Sequence, residues 1–161
     1  MGNIQERRGY VRDSVRGLTY ARHGQRSDLL AAGDDCCYRS SWEANVARVW
    51  VARGIRPLYE TRTFILASAR KRKPTGYKPD WRLPVAPVEV GGETYLRTYL
   101  EVKGRMDDDS MRKIAAFRRE YPQYLLIVID KDAYREMAPW WRIEVVDAGL
   151  HWETPSRSLH P

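Results

Sequence analysis

With 161 residues, 43% of them hydrophobic and 30% charged, the chain is long enough for one domain with a core of its own and short for two, so one compact domain with appendages is expected. A formal net charge of +7 favours a polyanionic partner such as nucleic acid or an anionic surface, and no stretch approaches the roughly 18 apolar residues of a membrane span. Cys36 and Cys37 are adjacent and give no disulfide framework, and the scattered His23, His151 and His160 give no zinc spacing, so any catalytic metal is expected to be held by oxygen.

The opening Met1-Gly2-Asn3-Ile4-Gln5-Glu6 lacks the layout of a signal peptide, and a cytoplasmic, intracellular protein is the expectation. Residues 1 to 27 carry six arginines against Glu6 and Asp13, with little apolar periodicity. They read as a basic flexible arm that either grips DNA or is simply disordered, and Leu29 to Asp35 reads as a linker. The arm and linker occupy residues 1–36, and the remaining 37–161 form the expected domain.

Ser40-Ser41-Trp42-Glu43 predicts a helix start of capping-box form, with Ser40 as cap and Glu43 at the third helical position. Val46, Val49 and Trp50 recur at helical spacing as a buried stripe, and Gly54 ends the helix. Leu58 to Leu66 predicts a strand, the polar run to Tyr77 a long connection, and Asp80 to Leu83 a second short strand.

Val88 to Tyr95 has the pattern of a hairpin turning at Gly91-Gly92. The returning strand sets Leu96, Thr98, Leu100 and Val102 on one face and Tyr95, Arg97, Tyr99, Glu101 and Lys103 on the other. Asp107 to Asp109 predict the start of a helix that buries Met111, Ile114, Ala115 and Phe117 and stops at Pro122. The apolar run Tyr124 to Ile129 predicts a central strand covered on both faces. Asp132 to Met137 predicts a short helix and Arg142 to Val146 a final strand. The expected fold class is α/β, a mixed central sheet flanked by helices.

Charge is concentrated. Between Arg62 and Arg82 stand seven basic residues against Asp80 alone, which accounts for most of the excess. This is either a solvated loop or a phosphate-contacting segment. The run Arg70-Lys71-Arg72-Lys73 lies just before Tyr77-Lys78-Pro79-Asp80, which favours phosphate contact for these residues and Lys78, with Arg105 following Lys103.

Hydrolysing a phosphodiester requires an activated water, charge neutralisation on the phosphate and help for the leaving oxygen, and Mg²⁺ held by oxygen supplies all three. Such a cation takes one or two carboxylates and keeps several waters. Asp80 and Glu101 on neighbouring strand ends suit that task, and Lys103 on Glu101's face suits orientation or deprotonation of the water. The duller alternatives are a turn aspartate, a surface ion pair of Lys103 with Glu101, and for Glu43 the helix cap alone.

A Pro-Asp followed by a Glu-x-Lys, with an upstream helical Glu, resembles the PD-(D/E)XK nuclease superfamily, and within it the phage endonuclease I type of Holliday-junction resolvase. The shared pattern runs from Tyr38-Arg39-Ser40-Ser41-Trp42-Glu43 through Tyr77-Lys78-Pro79-Asp80-Trp81 to Leu100-Glu101-Val102-Lys103-Gly104. The resemblance implies a restriction-endonuclease-like core in which Glu43, Asp80 and Glu101 bind Mg²⁺, with Mn²⁺ able to substitute. The Val102 carbonyl joins them, and Lys103 assists the water. It further implies a homodimer, with residues 62–78 as a bridge crossing to the partner subunit, acting on branched DNA such as four-way junctions. One departure is the longer separation of Asp80 and Glu101, filled by the Gly91-Gly92 hairpin. Two other functions remain open on the residues: a nicking, repair or restriction-like nuclease with the same site, and a non-catalytic DNA-binding protein.

Overall fold

The structure is a computed structural model that describes residues 25–69 and 73–154 in full and the backbone of 5–7, 10–13 and 18–21. The chain divides into two compact units, residues 1–55 with 139–161, and residues 56–138. The expected boundary after residue 36 therefore falls inside the first unit.

In the first unit, β1 (Gln5–Arg7), β2 (Tyr10–Asp13) and β3 (Leu18–Ala21) form an antiparallel sheet in that order. Strands stand here where a structureless arm was expected. Tyr10-Val11 and Leu18-Thr19-Tyr20 carry strong β preference that the surrounding arginines obscure. The expected linker likewise contains a helix, α1 (Ser27–Ala31), which buries Leu29 completely.

Helix α2 (Ser41–Ala52) begins where Ser40 caps it, the Ser40 hydroxyl accepting from the Glu43 amide at 3.1 Å. Val46 and Val49 are buried. The helix ends at Gly54, whose φ of 69° is open to glycine at little cost, and the amides of Gly54 and Ile55 close on the carbonyls of Val51 and Trp50. Beneath it, the buried Arg48 guanidinium lies 2.7 Å from Asp28, 2.9 Å from Glu153 and 3.1 Å from the Asn45 amide oxygen.

The second unit holds a four-stranded mixed sheet built from β4 (Leu58–Tyr59), β7 (Trp81–Arg82), β10 (Arg97–Lys103) and β11 (Tyr124–Asp130), in the order β11-β10-β7-β4. Strands β10 and β11 run parallel, joined by α3 (Asp108–Glu120), and the other pairs are antiparallel. The sequence predicted one strand from Leu58 to Leu66. It is broken instead at Glu60, which takes a left-handed φ of 46°, and the second half becomes β5 (Phe64–Leu66), paired with β6 (Thr75–Tyr77) as a separate ribbon. The hairpin β8 (Val88–Val90) and β9 (Glu93–Tyr95) turns at Gly91 and Gly92, with φ of 60° and 85°.

Phe64, Leu66 and Tyr77 of the ribbon are buried with Tyr99, Ile114, Phe117 and Leu126, and Phe64 meets Phe117 edge-on at 4.8 Å. Glu120 at the end of α3 accepts the amides of Ala67 and Ser68, both at 2.8 Å, and fixes the base of the basic connection. The aromatic packing explains why the expected long connection returns as a strand.

Three further expectations are corrected. Met111 and Ala115 of α3 are exposed, because the sheet covers only the face of Ile114, Ala116 and Phe117. The apolar β11 is an edge strand, with Ile127 39% exposed, and the central strand is β10, buried from Thr98 to Val102 despite its polar residues. Arg142 to Val146 is not a strand but the end of α4 (Lys131–Asp147), which runs through Pro139. The burial of Tyr134, Trp141 and Val145 follows a helical repeat that prevails over the proline and the β-branched residues.

Among the described residues no helix is long and apolar enough to cross a membrane.

Candidate active site

Strand pairing brings Asp80 to Glu101. Tyr99 pairs with Arg82 and Leu100 with Trp81, and continuing that antiparallel register by one residue sets Asp80 opposite Glu101. Asp80 precedes β7, and its Oδ2 accepts the buried Val102 amide at 2.7 Å, fixing the carboxylate against the backbone of the Glu-x-Lys segment. Both carboxylates are nearly inaccessible, Asp80 at 4% and Glu101 at 2%.

Lys103 follows Glu101 on the same face, and its Nζ lies 2.6 Å from Glu101 Oε1. Glu101 Oε2 is buried with no hydrogen-bond partner. Burial raises the Glu101 pKa above the usual carboxylate value, and the hydrogen bond and charge of Lys103 oppose that rise without cancelling it. Two buried carboxylates fixed beside each other are the arrangement that a hard cation fits, since oxygen ligands and an incomplete protein shell suit Mg²⁺.

Of the predicted residues, the structure thus brings together Asp80, Glu101, Val102 and Lys103. Glu43 belongs to the first unit, where its carboxylate closes the cap of α2: Oε1 accepts from the Ser40 hydroxyl at 3.0 Å and Oε2 from the Arg39 amide at 3.3 Å. Among the predicted DNA contacts, Lys73, Lys78 and Arg105 are exposed, and Lys78 Nζ lies 3.5 Å from Glu60. Arg70, Lys71 and Arg72 lie outside the described residues.

Sequence reading missed two neighbours. Glu60 donates its amide to the Asp80 carbonyl at 2.7 Å from a strained left-handed backbone, a conformation no local motif announced. The Tyr77 hydroxyl is buried beside Glu101 with no well-formed hydrogen bond, and its pKa is driven far up, first by burial and then by Glu101 and Asp80. The spacing Tyr77-x-x-Asp80 was visible, but its meaning depends on the β5–β6 ribbon.

Beside the acids lies an open groove of about 370 Å³, lined by Met106, Met111, Ala115, Val128 and Asp130 among others. Val128 and Asp130 pair in register with Glu101 and Lys103, and Asp130 Oδ1 caps the start of α4 through the amides of Asp132 and Ala133.

Among the described residues, one group of three possible metal ligands lies elsewhere: Asp34, Asp35 and Cys36, with ligand atoms within 4.8 Å of one another. It suits a metal poorly. Asp34 already accepts from the Cys36 amide and the Tyr38 hydroxyl, and burial and the Asp34 charge push the Cys36 thiol up to about 12, disfavouring the thiolate.

Comparison of the chain with protein-family models, with curated proteins and with solved structures finds no match.

Proposed function

We propose that the chain is a metal-dependent endonuclease with a restriction-endonuclease-like core, acting on branched DNA as a Holliday-junction resolvase does. The observation that carries this reading is the pair of buried carboxylates, Asp80 and Glu101, opposed across β7 and β10 with the Lys103 ammonium 2.6 Å from one of them. Burying two acids side by side costs stability, and a cation-binding role accounts for that cost better than a structural one.

In this reading Asp80, Glu101 and the Val102 carbonyl would hold Mg²⁺ or Mn²⁺; the family resemblance also assigns Glu43 to the metal, whereas its carboxylate closes the cap of α2. The ion, when bound, neutralises phosphate charge and makes water a stronger nucleophile. Asp80 is oriented by the Val102 amide, so its remaining oxygen is presented in one direction. Lys103, held by Glu101 as an ammonium, would donate to and orient the attacking water, whose proton would pass to solvent. The basic residues Arg70 to Lys73, Lys78 and Arg105 contact phosphates. A homodimer, with residues 62–78 near its centre, supplies two sites for a two-fold symmetric junction.

The test is cleavage of a synthetic four-way junction beside linear duplex, with Mg²⁺ and with chelator. Metal-dependent cutting of the junction, with linear duplex largely intact, is expected. Junction left whole by the unaltered chain in Mg²⁺ and in Mn²⁺ contradicts the proposal.

A further inference from the structure

Two buried polar atoms beside the candidate site lack hydrogen-bond partners: the Tyr77 hydroxyl and Oε2 of Glu101. One is a donor and the other an acceptor, and both residues are more than nine-tenths buried. They lie within reach of each other, so that both the charge of Glu101 and a hydrogen-bonding interaction with it act on the Tyr77 hydroxyl, although the geometry falls short of a fully formed hydrogen bond. Native interiors rarely leave such a pair unmade.

Their supports differ. Tyr77 is fixed by β6, whose partner Phe64 is packed in the core, and its ring meets Phe117 at 5.5 Å. Glu101 is fixed by the central strand, and its carboxylate reaches outward to the half-exposed Lys103 through Oε1. The rigid member is therefore the tyrosine.

We infer that Tyr77 is a positioning residue of the acidic centre, its hydroxyl donating to the Glu101 carboxylate from behind and so fixing the plane in which that carboxylate meets a divalent cation. The inference rests on the nuclease reading. A carboxylate held from behind by a donor loses less freedom on binding a cation, and such outer contacts typically change metal affinity by about 10- to 100-fold. Tyr99 offers an internal control, because its hydroxyl is also buried in the same core but neighbours Arg62 rather than the Glu101 carboxylate.

The experiment is calorimetric titration of Mn²⁺ into the unaltered protein, Tyr77→Phe and Tyr99→Phe, with melting temperatures in EDTA and the kcat and KM for junction cleavage. Tyr77→Phe is expected to bind Mn²⁺ at least about tenfold more weakly, to lose kcat at limiting metal with little change in KM, and to melt no lower than the unaltered chain. Tyr99→Phe is expected to keep the unaltered affinity. Equal Mn²⁺ affinity in the unaltered chain and Tyr77→Phe overturns the inference and leaves the nuclease reading standing. Equal weakening by Tyr99→Phe also overturns it, and a complete absence of Mn²⁺ binding by the unaltered chain overturns both.

Discussion

The ammonium of Lys103 lies 2.6 Å from Oε1 of Glu101, two residues earlier on the same face of the central strand. That contact offsets part of the cost of burying Glu101, but burial still raises the carboxyl's pKa. The centre is therefore under electrostatic tension without a cation.

Stability should show this tension. A folded-state pKa above the unfolded value of about 4.3 means that the native state holds the Glu101 proton more tightly. The associated stability is present below the unfolded pKa and lost as pH rises through the folded one. Glu101→Gln should thus melt higher than the unaltered protein near pH 8 in EDTA, with the difference closing below pH about 4. Each kcal/mol gained corresponds to about 2–4 °C for a chain of this size. A lower melting temperature for Glu101→Gln at pH 8 contradicts the assignment.

The nuclease reading gives Asp80 two separable roles. Asp80→Ala removes the acceptor of the buried Val102 amide and should cost about 1–3 kcal/mol in addition to abolishing cleavage. Asp80→Asn keeps an oxygen for that amide, so it should retain most of the stability while cleavage falls by about a hundredfold or more. Paired denaturant melts and cleavage rates check both, with junction binding in chelator retained.

Arg48 should govern the stability of the first unit. Removing its buried guanidinium leaves Asp28 and Glu153 facing each other's charge, and Arg48→Ala should cost about 3–5 kcal/mol. Burial pushes the Asp28 and Glu153 carboxyls up, but hydrogen bonds and charge, chiefly from Arg48 at Asp28 and from Arg26 and Arg48 at Glu153, leave both below the usual range. Their contribution is present above the unfolded carboxylate pKa and lost as pH falls through the folded one. The gap between the unaltered protein and Arg48→Ala should accordingly narrow in acid, as read by melting curves between pH 7 and pH 3.

Glu60 holds a left-handed backbone with φ of 46°. Glycine there removes a strain of about 1–2 kcal/mol, set against the freedom glycine gains in the unfolded chain. Glu60→Gly should melt at or slightly above the unaltered protein, whereas Glu60→Val should melt below it.

Charge in the basic segment should appear in salt dependence. Each phosphate contact contributes about 0.9 to the slope of log K against log salt, so replacing Arg70 to Lys73 with serine should lower the slope by up to about 3.6 on duplex arms. Filter binding across salt concentrations measures it, and an unchanged slope assigns these residues to solvent.

Much of this was legible in sequence. The caps at Ser40 and Asp107 and the Gly91-Gly92 turn are local chemistry, and the structure repeats them. The alternation in Tyr99, Glu101 and Lys103 placed the acid and the lysine on one face. What failed was judgement of burial from hydrophobicity. Tyr124 to Ile129 is more apolar than β10 but lies at the sheet edge, because the central position went to the strand carrying Glu101 and Thr98. A strand that buries an acid is where local preference and tertiary position conflict. The strands at 5–7, 10–13 and 18–21 and the helix at 142–146 were misread because arginines and Pro139 masked, respectively, β preference and a helical repeat.

The most direct measurement of the central claim is anomalous scattering from a crystal grown with Mn²⁺. The account predicts a manganese peak at coordination distance from carboxylate oxygens of both Asp80 and Glu101, absent in Glu101→Gln. A saturated crystal with no peak between these two carboxylates, or with manganese only at Asp34 and Asp35, contradicts it.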